Sequence, residues 1–324
     1  MNVRRRLISG SAIAAVTALG LGTLSACSDS SAASGDTGKF DVVASFYPMA
    51  YLAERIGGDH VHVTTLTSPG QEPHDLEISP RQIGGLERSD AVLYLKGLQP
   101  SVDKAVDQSP VKTKIDAATL TTLEEHGTEV GGHATEHEDE HAEDHDHEGE
   151  NGKDPHIWLD PVRYAEVAQG VGRAFEKADP DHAADYKRNT AALVKQLDAL
   201  NTDFKEGLAH TRSKVFITTH AAFGYLADRY GLTEEAISGL DPESEPSGAR
   251  VRELHKLAKA DGVSTVFYET LVSDKTAKTV AGDAGLKTDV LDPIEGITKK
   301  SRGQDYLAVQ RSNLKALQSA LGSK

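Results

Sequence analysis

Residues 183–208 read AADYKRNTAALVKQLDALNTDFKEGL, and Tyr186, Leu193, Leu197, Leu200 and Phe204 recur along them at helical spacing. Apolar side chains three and four positions apart line one face of a helix, so the spacing predicts a single long helix over 183–208. What flanks it decides the fold. On both sides, short apolar runs alternate with amphipathic segments, the pattern of βαβ units. One long helix joining two such blocks predicts an α/β protein: two mainly parallel-sheet α/β lobes bridged by that helix, with a cleft between them.

Upstream, residues 40–46 read as a strand and 47–56 as a helix ending at Gly57-Gly58. A second strand over 60–66 breaks at Ser68-Pro69-Gly70. A helix over 79–86, a strand over 91–95 and a short strand candidate within 110–115 complete the first block. Downstream, strands are expected at 215–219, 236–238, 265–268 and 288–291. Helices are expected at 223–230 (ended by Gly231), 249–260, 274–284 and 306–321. The lobes are then 40–182 and 209–324, and 324 residues are ample for two domains each burying its own core.

Residues 124–150 interrupt the first lobe with EEHGTEVGGHATEHEDEHAEDHDHEGE: six histidines, twelve carboxylates and no Lys or Arg. Imidazole and carboxylate together are what divalent transition metals bind, so His126, His133, His137, His141, His145 and His147 read as auxiliary metal capture. The competing reading is a solvated acidic loop. With Gly131-Gly132 and almost no apolar residue, the tract is expected to be disordered. It also accounts for most of the net charge of −15: without its twelve acids, 35 basic residues face 38 acidic ones. Nothing in the remaining charge suggests nucleic acid.

The first 27 residues form a separate segment. Arg4-Arg5-Arg6 precede an apolar stretch from Leu7 to Leu24, and Leu24-Ser25-Ala26-Cys27 follows, with the chain's one cysteine. This resembles a bacterial lipobox, where the cysteine is lipidated at its thiol and becomes the new N-terminus. Residues 28–39 then read as a flexible tether. The expectation is an exported bacterial lipoprotein, attached through Cys27 at the outer face of the cell membrane and not spanning it.

Three histidines sit where strands are expected to end: His74 in PGQEPHD, His156 in DPHIWLDP and His220 in TTHAAF. Ligands of α/β sheets bind beyond the carboxyl ends of strands, so these three can converge on a metal. A lone histidine in such a turn is otherwise a capping or core residue.

Four segments taken in order, PHD, PHIWLDP, THAAFGYLADRYGL and LDPIEG, resemble the cluster A-I solute-binding proteins of ABC transporters that import zinc or manganese. The resemblance runs from about Phe40 to the C-terminal helix. It implies two α/β lobes bridged by one helix with the metal clamped in the cleft. It also implies His74 and His156 as N-lobe ligands and His220 as the first C-lobe ligand. A carboxylate after the last strand is the fourth, with Asp292 and Glu295 competing for the position. Relatives with a similar turn use the Glu, which favours Glu295 and leaves Asp292 a turn-former. Asp75 and Asp160 follow ligand positions closely and could orient an imidazole by accepting its second N–H, with turn or cap roles equally open.

Manganese members put a carboxylate where His220 stands. Three imidazoles and one carboxylate form a borderline-soft donor set that favours Zn²⁺ over Mn²⁺. Zn²⁺ is then the transported ligand, and the implied partners are an ABC permease and its ATPase in the cytoplasmic membrane, with the protein acting as a monomer. A second class is a secreted zinc hydrolase, but no HExxH-type motif is present and no general base stands beside an open site. A third is a metal-buffering or adhesin lipoprotein in which the tract does all the binding. Because imidazole binds metal only when deprotonated, affinity is expected to fall below about pH 6.5.

Overall fold

Alternate residues of the first strand, β1 (Phe40–Ala44), enter different apolar clusters, Val42 and Ala44 one and Val43 another. Strand side chains alternate between faces, so the sheet is covered on both sides, as parallel α/β sheets are. The computed structural model describes residues 38–127, 129, 130 and 152–323. Within them β1 is followed by α1 (Tyr47–Gly57), β2 (Val61–Thr65), α2 (Pro80–Arg88), β3 (Ala91–Tyr94), α3 (Pro100–Gln108) and β4 (Thr113–Asp116). The strands form an all-parallel sheet in the order β2-β1-β3-β4.

After β5 (Glu129–Val130) come α4 (Pro161–Ala178) and α5 (Ala183–Leu208). The second block is β6 (Val215–Thr218), α6 (Gly224–Tyr230), β7 (Thr233–Ala236), α7 (Gly248–Ala260), β8 (Thr265–Tyr268), α8 (Lys275–Ala284), β9 (Lys287–Val290) and α9 (Tyr306–Leu321). Its sheet runs β5-β7-β6-β8-β9, parallel except for β5, which lies antiparallel to β7. Among the described residues no helix is long and apolar enough to cross a membrane.

The stretch 183–208 is the helix its spacing predicts. Tyr186, Leu193, Leu197, Leu200, Phe204 and Leu208 are buried along one face of α5, each worth about 1.5–3 kcal/mol where the side chain leaves water completely. Helix α4 packs closely on it: a Cβ at Gly172 would stand 2.3 Å from Oγ1 of Thr190, so only glycine fits there.

The expectation of two separate cores is corrected. Each sheet has an outer cluster of its own: Val43, Val92 and Val102 with α2 and α3, and Ile217, Val266 and Leu254 with α7 and α8. Their inner faces instead share one continuous cluster, in which Val42 and Leu93 of the first sheet and Phe216 and Phe267 of the second enclose α1, α4, α5, α6 and α9. At its centre the Tyr306 hydroxyl donates to the carbonyl of Trp158 (2.5 Å), and the Tyr164 and Tyr306 rings lie 4.6 Å apart. The helix bridges the two sheets, and the whole inner layer is common to both.

Three further differences are instructive. The sequence reading did not anticipate α3 or α4. Strand β7 begins three residues before the expected 236, because Glu234 and Glu235 are buried carboxylates that hide its apolar character. They are tolerated because the Thr218 hydroxyl and Phe223 N–H donate to Glu234 while Arg250 donates to Glu235. The tract expected to be disordered over 124–150 is ordered at its start: the Tyr225 hydroxyl accepts from the Glu124 N–H at 2.9 Å, and Glu129 stands opposite Glu235 in the second sheet. The signal segment, Cys27, most of the tether, and His133, His137, His141, His145 and His147 lie outside the described residues.

Candidate metal centre

Four side chains far apart in sequence meet where the two sheets face each other. His74 stands in the loop between β2 and α2, His220 two residues beyond β6, and Glu295 in the turn after β9. His156 departs from the strand-end expectation: it precedes the short 3-10 turn Ile157–Leu159 that leads into α4. One ligand-type atom from each of His74, His156, His220 and Glu295 lies within 4.8 Å of all the others.

Distances to Glu295 Oε1 define the geometry. The Nε2 atoms of His74, His156 and His220 lie 3.3, 3.5 and 3.6 Å from it. Zn–N and Zn–O bonds of about 2.0–2.1 Å in a tetrahedron give donor–donor edges of roughly 3.3–3.4 Å. These three separations are close to the edges of such a tetrahedron. Nε2 of His156, Nε2 of His220 and Oε2 of Glu295 are buried and have no hydrogen-bond partner among the described residues. Buried polar atoms are almost always satisfied, so two unsatisfied imidazole nitrogens facing one carboxylate oxygen make a candidate ligand position.

Carboxylates behind two of the rings set their orientation. Oδ1 of Asp154 accepts from Nδ1 of His156 at 2.7 Å and from its backbone N–H at 2.8 Å. Oε1 of Glu269 accepts from Nδ1 of His220 and from the Thr219 hydroxyl, both at 2.8 Å. With Nδ1–H engaged, the neutral ring presents Nε2 as the lone pair to a metal. Burial by itself would depress the His156 pKa, but the Asp154 and Glu295 carboxylates lift it to about 9. For His220 the same loss of water is outweighed by Glu269 and Glu295, and its pKa rises well above the ordinary value. Burial alone would raise the Glu295 carboxyl, but the three imidazoles hold it well below the usual range.

The turn that aims Glu295 is strained. Ile294 has φ 60°, a left-handed conformation that a β-branched residue rarely adopts and that costs about 1–3 kcal/mol. Asp292 holds it by accepting from the Ile294 N–H (2.8 Å) and the Thr270 hydroxyl (3.1 Å). Asn313 brackets the Asp292 backbone, donating to its carbonyl at 2.7 Å and accepting from its N–H at 2.9 Å. From the other side Trp158 Nε1–H donates to the Pro293 carbonyl at 2.7 Å, which ties the His156 segment to the Glu295 turn.

The four residues expected to converge therefore do so. Asp292, the alternative ligand, is outside the cluster and is the turn-former, its pKa pushed by burial to about 6. Asp75 is exposed and Asp160 is engaged elsewhere, so neither is the imidazole-orienting group considered for it. Asp160 caps α4 through the Val162 N–H (2.9 Å) and pairs with Arg229 at 2.6 Å. Sequence reasoning missed Asp154 and Glu269, though both had a signal: one is two residues before His156, and the other directly follows the buried strand β8. It also missed Glu72, which accepts from the His74 N–H at 2.8 Å and whose carboxyl is pushed up to about 8 by burial and by Glu295.

The fold and the donors define a class: a protein of two α/β sheets around a common helical layer, with a buried three-imidazole, one-carboxylate metal-type cluster between them. Residues 42–320 match the family described as ZnuA, zinc-uptake complex component A, periplasmic, and the chain belongs to that family. The zinc-binding lipoprotein AdcA of Streptococcus pneumoniae is 35% identical over 301 residues, which are 91% of this chain and 58% of AdcA. This chain thus spans little more than half the length of that relative. The high-affinity zinc uptake system protein ZnuA of Bacillus subtilis is 33% identical over 307 residues, 92% of this chain and 93% of that protein. Among solved structures, the Zn(II)-bound ZnuA-like domain of Streptococcus pneumoniae AdcA superposes with a TM-score of 0.71 at 32% identity, covering 88% of this chain and 99% of that one.

Proposed function

We propose that this protein captures Zn²⁺ outside the cytoplasmic membrane and delivers it to an ABC-type permease for import. His74, His156, His220 and Glu295 bind the ion, which is cargo and not a resident cofactor. The observation that carries this reading is the meeting of three imidazole Nε2 atoms around one carboxylate oxygen at 3.3–3.6 Å, with two of those nitrogens otherwise unsatisfied. Three nitrogens and one oxygen favour Zn²⁺ over the harder Mn²⁺. The protein is a carrier and not a catalyst: all four donors converge on one buried point, and a closed set leaves no position for an activated water. The zinc-binding and zinc-uptake relatives support the same reading. Export by residues 1–27, lipid attachment at Cys27, the tether 28–39 and action as a monomer at the outer face of the cell membrane complete it.

Metal analysis and competition among Zn²⁺, Mn²⁺ and Cu²⁺ on the wild type and Glu295→Ala test the proposal. One tightly held Zn²⁺ per chain that outcompetes Mn²⁺ and is weakened in Glu295→Ala is the expected result. A preference for Mn²⁺, or unchanged affinity in the variant, overturns the assignment.

A further inference from the structure

The first histidine of the acidic tract is built into the fold. Strand β5 fixes the backbone just after it, and its ring lies edge-on to Tyr225 at a centroid distance of 4.5 Å. A Cβ on Gly224 would stand 2.6 Å from the His126 ring, so glycine at the start of α6 is what admits it. The His126 side chain is only 5% exposed, while those of Glu124 and Asp228 beside it are 43% and 46% exposed.

Around that ring the arrangement at His156 recurs. Nδ1 of His126 donates to Oδ2 of Asp154 at 2.6 Å, and Oδ1 of the same carboxylate serves His156. With Nδ1–H held, Nε2 faces Oδ2 of Asp228 at 3.1 Å and Oε2 of Glu124 at 3.9 Å. One ligand-type atom from each of Glu124, His126 and Asp228 lies within 4.8 Å of the others. A carboxylate behind the imidazole, Nε2 presented forward and two further oxygens in reach form a metal-ligand arrangement with its supporting group in place.

We propose that Glu124, His126 and Asp228 form a second, shallower site for a divalent transition-metal ion, sharing Asp154 with the buried cluster. In the metal-free chain the imidazole stands between Asp154 and Asp228, and the metal takes the Nε2 lone pair in place of any proton there. One nitrogen and two exposed oxygens leave positions for water, so the ion binds more weakly and less selectively than at the buried cluster. The site stands where the tract joins the folded body, one shared carboxylate away from His156. The inference rests on the zinc-capture reading for its purpose and not for its existence.

The test uses the full chain carrying His133→Gln, His137→Gln, His141→Gln, His145→Gln and His147→Gln. Zinc is counted by equilibrium dialysis with elemental analysis and located by anomalous scattering at the zinc edge. The expected result is one tight and one weaker ion, the weaker on His126. Adding Asp228→Asn should then lower the affinity of the weaker ion by about tenfold or more and leave the tight one unchanged. Adding His220→Ala instead should abolish tight binding and keep the ion on His126. A single ion per chain, a second ion located elsewhere, or no effect of Asp228→Asn overturns the proposal. An ion on His126 without one at the buried cluster would uphold this site while removing the ligand assignment proposed above.

Discussion

Nδ1 of His220 lies 2.8 Å from Oε1 of Glu269, and both side chains are buried. The carboxylate fixes the ring so that Nε2 faces the cluster, and its charge makes the imidazole a stronger donor to metal. Glu269 follows β8 while His220 follows β6, so adjacent strands of one sheet supply a metal-facing residue and its support.

Glu269→Gln is therefore expected to lower Zn²⁺ affinity by about 10–100-fold without unfolding the chain. Glutamine keeps an oxygen for the Nδ1–H but loses the charge. Competition against a chromophoric chelator measures the loss, and circular dichroism checks the fold. Unchanged affinity would mean that Glu269 only fills space.

Removing a proposed ligand should cost far more than removing any tract histidine. His220→Ala is expected to weaken binding by at least about 100-fold, roughly 2.8 kcal/mol, and a single change such as His141→Ala by less than about threefold. Equal losses would show that the tract and not the buried cluster holds the ion.

The pH dependence follows from the two kinds of shift. The pKa of His156 is raised from 6.5 to about 9, so in the metal-free chain its pairing contributes stability that is fully present below about 6.5 and is lost as pH rises through 9. Glu295 is shifted down, so its contribution is present above about 4.5 and is lost as pH falls through its lower folded value. Zinc must displace the imidazole protons, so affinity should keep rising up to about pH 9, and the decline expected below 6.5 begins higher. Calorimetry in buffers of different ionisation enthalpy should detect proton release at pH 7. No release would contradict the raised imidazole values.

Trp158→Phe keeps most of the ring packing on Phe46, at a centroid distance of 5.0 Å, but removes the donor to the Pro293 carbonyl. An unsatisfied buried acceptor costs about 1–3 kcal/mol. Urea denaturation of the metal-free variant should show that loss, and Zn²⁺ affinity should fall with it because the Glu295 turn is less firmly held. A loss of stability with no change in affinity would separate the two roles.

Metal removal is expected to loosen loops and not to swing the lobes apart, because the shared inner cluster would have to open for a large rotation. The radius of gyration by X-ray scattering should stay nearly constant, while amide exchange quickens in residues 68–79, 154–160 and 292–296. At a free zinc concentration about 1,000 times the Kd, the ion should add on the order of 4 kcal/mol to stability. A marked expansion without metal would contradict the common core.

The sequence by itself determined most of the local architecture, though not α3 or α4, and three of the four converging side chains. The apolar spacing in 183–208, the alternating strands and helices, and the His74, His156 and His220 turns are signals carried by neighbouring residues, and the resemblance added Glu295. The tertiary structure decided what depends on distant partners. Glu269 orients the His220 imidazole from 49 residues away, and of the two aspartates near His156 it is Asp154 and not Asp160 that does so, because hydrogen bonding depends on spatial approach. Asp292 holds a turn and Glu295 faces the cluster because Ile294 takes a left-handed conformation that local preference would refuse, held in place by Asn313, Thr270 and Trp158. His126 belongs to the folded body because Gly224 leaves room for its ring, Tyr225 packs on it and β7 pairs with the backbone that follows it. Whether the two sheets stand alone or share a core was likewise illegible in either half, since a strand's periodicity shows that a face is buried but not what buries it.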